Sequence, residues 1–197
     1  MIRFIVIAMM FSLNPDALSQ SESWCRYYGV TAEGRSVLRL DSQWAVTVVD
    51  TSKGGFYPGS FYMSVKLGTG GVVGSHVRAV IGTMAILSIY DTTSLADLRM
   101  AYTIKKGEEL SIRYACFEKE GMCGSYIMNI RADSLRPLYF YGRSPMIDTG
   151  AVLIGALVVN SSGAVVGIIV EQKGDQIKVL REARIAAVWL NARQKKK

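Results

Sequence analysis

The chain has 197 residues, half of them apolar, and 23 Lys and Arg against 16 Asp and Glu give it a net charge of +7. Four prolines and 20% charged residues exclude a disordered or collagen-like chain, and the apolar half can fill one globular core. One histidine and three cysteines leave too little material for a zinc enzyme, because tetrahedral zinc takes three or four Cys or His ligands.

The N-terminus has the order of an export signal: Arg3, an apolar run from Phe4 to Phe11, Asn14-Pro15, then small residues at Ala17 and Ser19. Residues 1–19 are therefore expected to be a signal peptide and 20–197 a single β-rich domain, periplasmic or secreted. Removing Arg3 and Asp16 together leaves the charge unchanged. An oxidising compartment favours disulfides. Cys116 and Cys123 are six residues apart across a turn at Gly121, so they are expected to pair, which leaves Cys25 over.

Short β-runs follow. Ser42 to Val49 alternates and stops in the polar cluster Asp50 to Gly55; Phe61 to Leu67 alternates and ends in Gly68-Thr69-Gly70-Gly71. Val77 to Ile89 is rich in Val and Ile and reads as one or two strands, and Leu95 to Met100 as a short helix. Tyr102 to Ile104, the turn Lys105-Lys106-Gly107 and Leu110 to Tyr114 form another extended segment. Gly150 to Gln172 places two apolar runs around Asn160-Ser161-Ser162-Gly163, a buried hairpin rather than a membrane span, since turn formers occupy its middle. Leu180, Ala183, Ala187 and Leu190 fall on one helical face, predicting a C-terminal amphipathic helix packed on the sheet. The fold class expected is mainly β, sandwich or barrel-like, with that helix closing it.

His76 is the only histidine, so any Ser-His-Asp or Cys-His chemistry must use it. Gly74-Ser75-His76-Val77, Ser94-Leu95-Ala96-Asp97-Leu98 and the run Leu157 to Ile168 resemble segments of trypsin-like serine proteases. That resemblance implies a double barrel with His76 and Thr149 meeting at the junction, and it is the alternative fold. The nucleophile turn departs from the family: Ile147-Asp148-Thr149-Gly150 stands where Gly-Asp-Ser-Gly supplies a serine and an oxyanion hole. The expectation is thus a degenerate domain, with no catalytic residue assigned and His76 a polar loop residue. No paired carboxylates point to glycoside hydrolysis, and Gly68 to Gly74 lacks the Lys-Ser/Thr ending of a phosphate loop. No cofactor or metal is implied.

The basic residues are dispersed except at Lys195-Lys196-Lys197, and Tyr27, Tyr28, Tyr139, Phe140 and Tyr141 form no base-stacking motif, so nucleic acid is not the expected partner. A basic exported surface suits an anionic envelope component or a protein, without stable membrane insertion once the signal is removed. Gln43-Trp44-Ala45-Val46, Phe61-Tyr62-Met63-Ser64 and Tyr102 to Ile112 before a cysteine pair resemble the exported bacterial invasion-associated locus B family. The resemblance, over Trp44 to Ile130, implies a small β-rich protein that acts by surface binding, without an established enzyme activity. The cysteine that many members carry just after the tryptophan strand is absent here.

Overall fold

The computed structural model describes residues 24–32, 35–49, 62–91, 95, 98–101, 103–117, 123–143 and 153–194. The expected signal at 1–19, Ser94, Asp97, Ser144, Asp148, Thr149 and the tail Lys195 to Lys197 lie outside these residues, as do the side chains of Cys116 and Cys123.

The short β-runs close into two barrels. Barrel 1 contains β1 (Tyr28–Thr31), β2 (Ser36–Arg39), β3 (Trp44–Val48), β4 (Tyr62–Leu67), β5 (Val72–Ile81) and β6 (Met84–Ile89), in the order β1-β2-β3-β6-β5-β4. Barrel 2 contains β7 (Glu109–Phe117), β8 (Cys123–Leu135), β9 (Tyr139–Arg143), β10 (Leu157–Val159), β11 (Val165–Lys173) and β12 (Gln176–Arg181), in the order β7-β8-β9-β12-β11-β10. Each barrel, numbered from its own first strand, runs 1-2-3-6-5-4, every neighbour is antiparallel, and its first strand closes on its fourth. Closure pairs every strand edge, the simplest way to protect short strands from aggregation. One helix, α1 (Glu182–Gln194), follows β12 directly.

Three apolar clusters hold this arrangement. Val37, Ala45, Val65, Val77, Ala85 and Leu87 fill barrel 1; Leu110, Ile112, Ile130, Phe140, Val158 and Ile177 fill barrel 2. The third lies between the barrels and under α1, where Tyr28, Leu38, Val46 and Ile86 meet Leu157, Val165, Ile168, Ile185 and Val188. β10 serves two clusters at once: Val158 points into barrel 2, while Leu157 and Val159 point into the junction. This explains the unbroken apolar run, since a strand buried on both faces has no reason to alternate. At Gly167 an added Cβ would sit 2.3 Å from the Leu180 carbonyl oxygen, so only glycine lets β11 and β12 approach this closely.

Several expected elements form as read: β3, β4, the β5–β6 pair within Val77 to Ile89, β7, and the hairpin around Asn160-Ser161-Ser162-Gly163. The turn of that hairpin is tied by Asn160, whose Oδ1 accepts from the backbone N–H groups of Ser162 at 3.1 Å and Ala164 at 3.0 Å. Its first strand is shorter than expected, because Leu153 to Ala156 turns through Gly155 at φ 90° before β10 begins. Two expectations are corrected. Leu98 to Met100 is extended rather than helical: Met100 bridges Val165, and the Val165 N–H donates to the Arg99 carbonyl at 2.7 Å. The C-terminal helix begins at Glu182, since Ile177 and Val179 alternate into barrel 2 as a strand, and its buried face is Ile185, Val188 and Ala192. Ala183, Ala187 and Leu190 face outward because the bulkier face displaces the smaller one.

Candidate functional site

His76 lies in the middle of β5, not on a loop, with Tyr62 of β4 and Ser88 of β6 as its cross-strand partners. Ser75 and Val77 on either side are fully buried, and Val77 belongs to the barrel 1 interior, so the alternation of the strand puts His76 on the outer wall. The imidazole meets the Tyr90 ring edge to face, centroids 5.9 Å apart. Next to it, Arg78 Nε donates to Ser88 Oγ at 2.8 Å. The His76 backbone is paired on both sides in the barrel wall, and its ring rests against Tyr90. Asp97 and Thr149, the groups that the protease-like reading would join to it, lie outside the described residues.

Two polar features that the sequence reading missed tie the architecture together. Arg39, at the end of β2, is wholly buried, with Nη2 2.5 Å from Asp91 Oδ2 just beyond β6 and Nη1 donating to the Arg26 carbonyl at 3.3 Å. Burial pulls this guanidinium below its ordinary pKa while Asp91 opposes the shift. Removing one member of such a buried pair typically costs about 3–5 kcal/mol, because the survivor is left charged and desolvated. The second feature is Tyr28 of β1. Its hydroxyl donates to the Arg113 carbonyl on β7 and accepts from the Leu157 N–H on β10 at 3.0 Å. Arg113 and Leu157 are register partners across the seam that closes barrel 2. A tyrosine of barrel 1 is thereby inserted into the closing ladder of barrel 2. Burial raises its pKa, against opposing effects of the Leu157 N–H and Arg113.

The cysteine that the expectation left over is paired. Cys25, buried just before β1, is disulfide-bonded. The expected Cys116–Cys123 bond falls on side chains outside the described residues. In the β7–β8 register Cys116 lies opposite Gly124 and Cys123 opposite Phe117, one residue out of step. Spacing alone could not show this offset.

No family model matches the chain, and no curated protein does. Solved structures do match, 307 chains in all. One is a kallikrein-related peptidase 10 in complex with Zn2+, which aligns over 90% of this chain and 99% of its own at TM-score 0.63 and 11% identity. At that identity the likeness is one of fold. The architecture is the double barrel of trypsin-like proteases, and among the described residues no group of three or more His, Cys, Asp or Glu is placed to hold a metal ion.

Proposed function

We propose that this chain is a non-catalytic member of the double-barrel architecture, exported to the periplasm or beyond, and that it acts by binding through its surface. The observation that carries the reading is the position of the one imidazole the sequence holds: His76 is fixed in the β5 wall against Tyr90. A general base must reach the proton it removes, and this imidazole is half-buried on the outer wall of barrel 1 with its ring against Tyr90. Threonine at 149 with isoleucine at 147 supports the same reading, because the serine and the glycine of the nucleophile turn are both replaced. The net +7 and the signal-like start at Arg3 to Ser19 favour an anionic envelope component as partner. Kinship with the invasion-associated locus B family belongs to this proposal, on Gln43 to Val46, which falls in and just before β3, and on Tyr102 to Ile112, which leads into β7.

A fluorophosphonate serine-hydrolase probe tests the non-catalytic part. Purified protein is expected to take up no label, read by intact mass. Labelling at Ser144 or Thr149 that disappears in His76→Ala would restore the protease reading. For export, N-terminal sequencing of protein from the envelope fraction is expected to begin near Gln20, and an intact Met1 would overturn it.

A further inference from the structure

The outer wall of barrel 2 over β8, β9 and β12 brings together cations that are scattered in the sequence. With the β8–β9 turn these strands carry Arg131, Arg136, Arg143, Lys178 and Arg181, and Asp133 as their sole carboxylate. Arg131 and Arg143 stand directly opposite one another in the register. Like charges so placed cost stability in a sheet, so the wall is not optimised for its own sake. Nearby carboxylates relieve it only in part: Arg131 meets Glu109 at 3.3 Å, Arg143 meets Asp133 at 3.5 Å and Lys178 meets Glu171 at 3.7 Å. Both arginines keep 60% or more of their side-chain surface in water. Exposed pairs of this kind are worth about 0–1 kcal/mol, little enough for an incoming anion to displace.

Two tyrosines lie among the cations. Tyr139 and Tyr141 meet edge to face at 5.6 Å, and Lys178 Nζ sits 4.7 Å from the centre of the Tyr139 ring. We propose that this wall binds an acidic polysaccharide, with Arg131 and Arg143 gripping its carboxylate or sulfate groups and the tyrosine hydroxyls offering hydrogen bonds to the sugars. The inference rests on the surface-binding reading above and assigns that binding a place and a chemistry. Guanidinium forks suit planar and tetrahedral oxyanions, and tyrosine offers an apolar ring with a polar tip. Single-stranded nucleic acid suits the wall less, because stacked bases need open, successive ring faces and these two rings are perpendicular, one of them under Lys178. A lipid surface suits it less as well: the exposed apolar residues nearest the wall, Ile127 on β8 and Leu138 in the turn, are separated by most of the length of β8.

The test titrates full-length protein with heparin oligosaccharide as the polyanion, with a thymidine oligonucleotide and phosphatidylglycerol vesicles in parallel. Arg131→Glu with Arg143→Glu is expected to weaken heparin binding at least about tenfold, a 1.4 kcal/mol change. A control with the same charge change, Lys66→Glu on β4 with Arg78→Glu on β5, lies on barrel 1 and is expected to shift it less than about threefold. Equal losses in the two variants mean that net charge alone binds and overturn the proposal, as does absence of heparin binding. Tighter binding of the oligonucleotide or the vesicles overturns the choice of partner. Melting curves show whether each variant is folded, and Arg131→Gln with Arg143→Gln, which removes charge without reversing it, repeats the test if the first fails to fold. Because the titration reads binding alone, its failure leaves the hydrolase-probe result standing, and labelling by that probe leaves this titration interpretable.

Discussion

Barrel 1 and barrel 2 repeat one strand order but put their outer walls to different use. In barrel 1 all six residues of β6 are buried, Ala85, Leu87 and Ile89 inside the barrel and Met84 and Ile86 in the junction. In barrel 2, β8 alternates strictly from Ile127 to Ala132, with Met128, Ile130 and Ala132 inside and Ile127, Asn129 and Arg131 in water. A wall covered by a neighbour must be apolar, while a wet one is free to carry charge. One topology therefore supplies both an internal interface and a solvent-facing surface, with no change in strand order.

The sharpest challenge to this division is a charge where a strand is dry on both faces. Val158 is wholly buried in β10, between Ile112 of β7 and Gly167 of β11 in the register. Val158→Asp places an unpaired carboxylate inside barrel 2 and is expected to cost several kcal/mol, out of a total stability of about 5–15 kcal/mol. Little soluble folded protein should be recovered, whereas Arg131→Asp on the wet wall should shift the melting temperature slightly. Melting curves like the parent's for Val158→Asp would mean that β10 is not shared between the clusters.

This contrast also explains what the sequence could reveal. β3, β7 and the β10–β11 hairpin were legible because apolar residues recur there with a two-residue period or as a bounded run. β1 and β2 are four residues each, too short for a period to register. β8 was expected only as a strand returning from the turn at Gly121, and its length was not, because Asn129, Arg131, Asp133 and Ser134 look like loop residues until the barrel wall places them outside. The helix face was misjudged because Ala183, Ala187 and Leu190 are as regularly spaced as the buried set, and bulk rather than spacing decided which face packed. The basic wall was illegible in principle: Arg131, Arg143 and Lys178 become neighbours only through strand pairing. The same holds for Arg39 with Asp91, and for Cys25.

The disulfide tests how the N-terminal segment joins the barrels. Trp24, beside Cys25, is under the Arg113 guanidinium at 5.9 Å, and Cys116 lies three residues farther along β7. We expect non-reducing peptide mapping to find Cys25 linked to Cys116 or Cys123, with the third cysteine alkylated as a free thiol. Such a bond closes a loop of some 90 residues and spans both barrels, so Cys25→Ser should cost about 2–4 kcal/mol. A Cys116–Cys123 peptide would instead place the staple within the β7–β8 hairpin.

The smallest effect expected is also the most specific to the junction. The Tyr28 hydroxyl completes the β7–β10 seam, so Tyr28→Phe strands the Arg113 carbonyl and the Leu157 N–H without filling the gap. Stranding a buried polar group costs about 1–3 kcal/mol, which denaturant titration resolves. The pH dependence has a definite sign. Burial raises the Tyr28 pKa above its ordinary value near 10, so the native state holds this proton more tightly than the unfolded chain does. The stabilisation is complete below about pH 10 and is lost as pH rises above that, because only the unfolded chain gains by ionising the phenol. Parent protein should therefore lose stability from about pH 10 upward, and Tyr28→Phe, less stable at neutral pH, should lose less over that range. Parallel stability curves for the two proteins above pH 10 would mean that the hydroxyl is not held between the barrels.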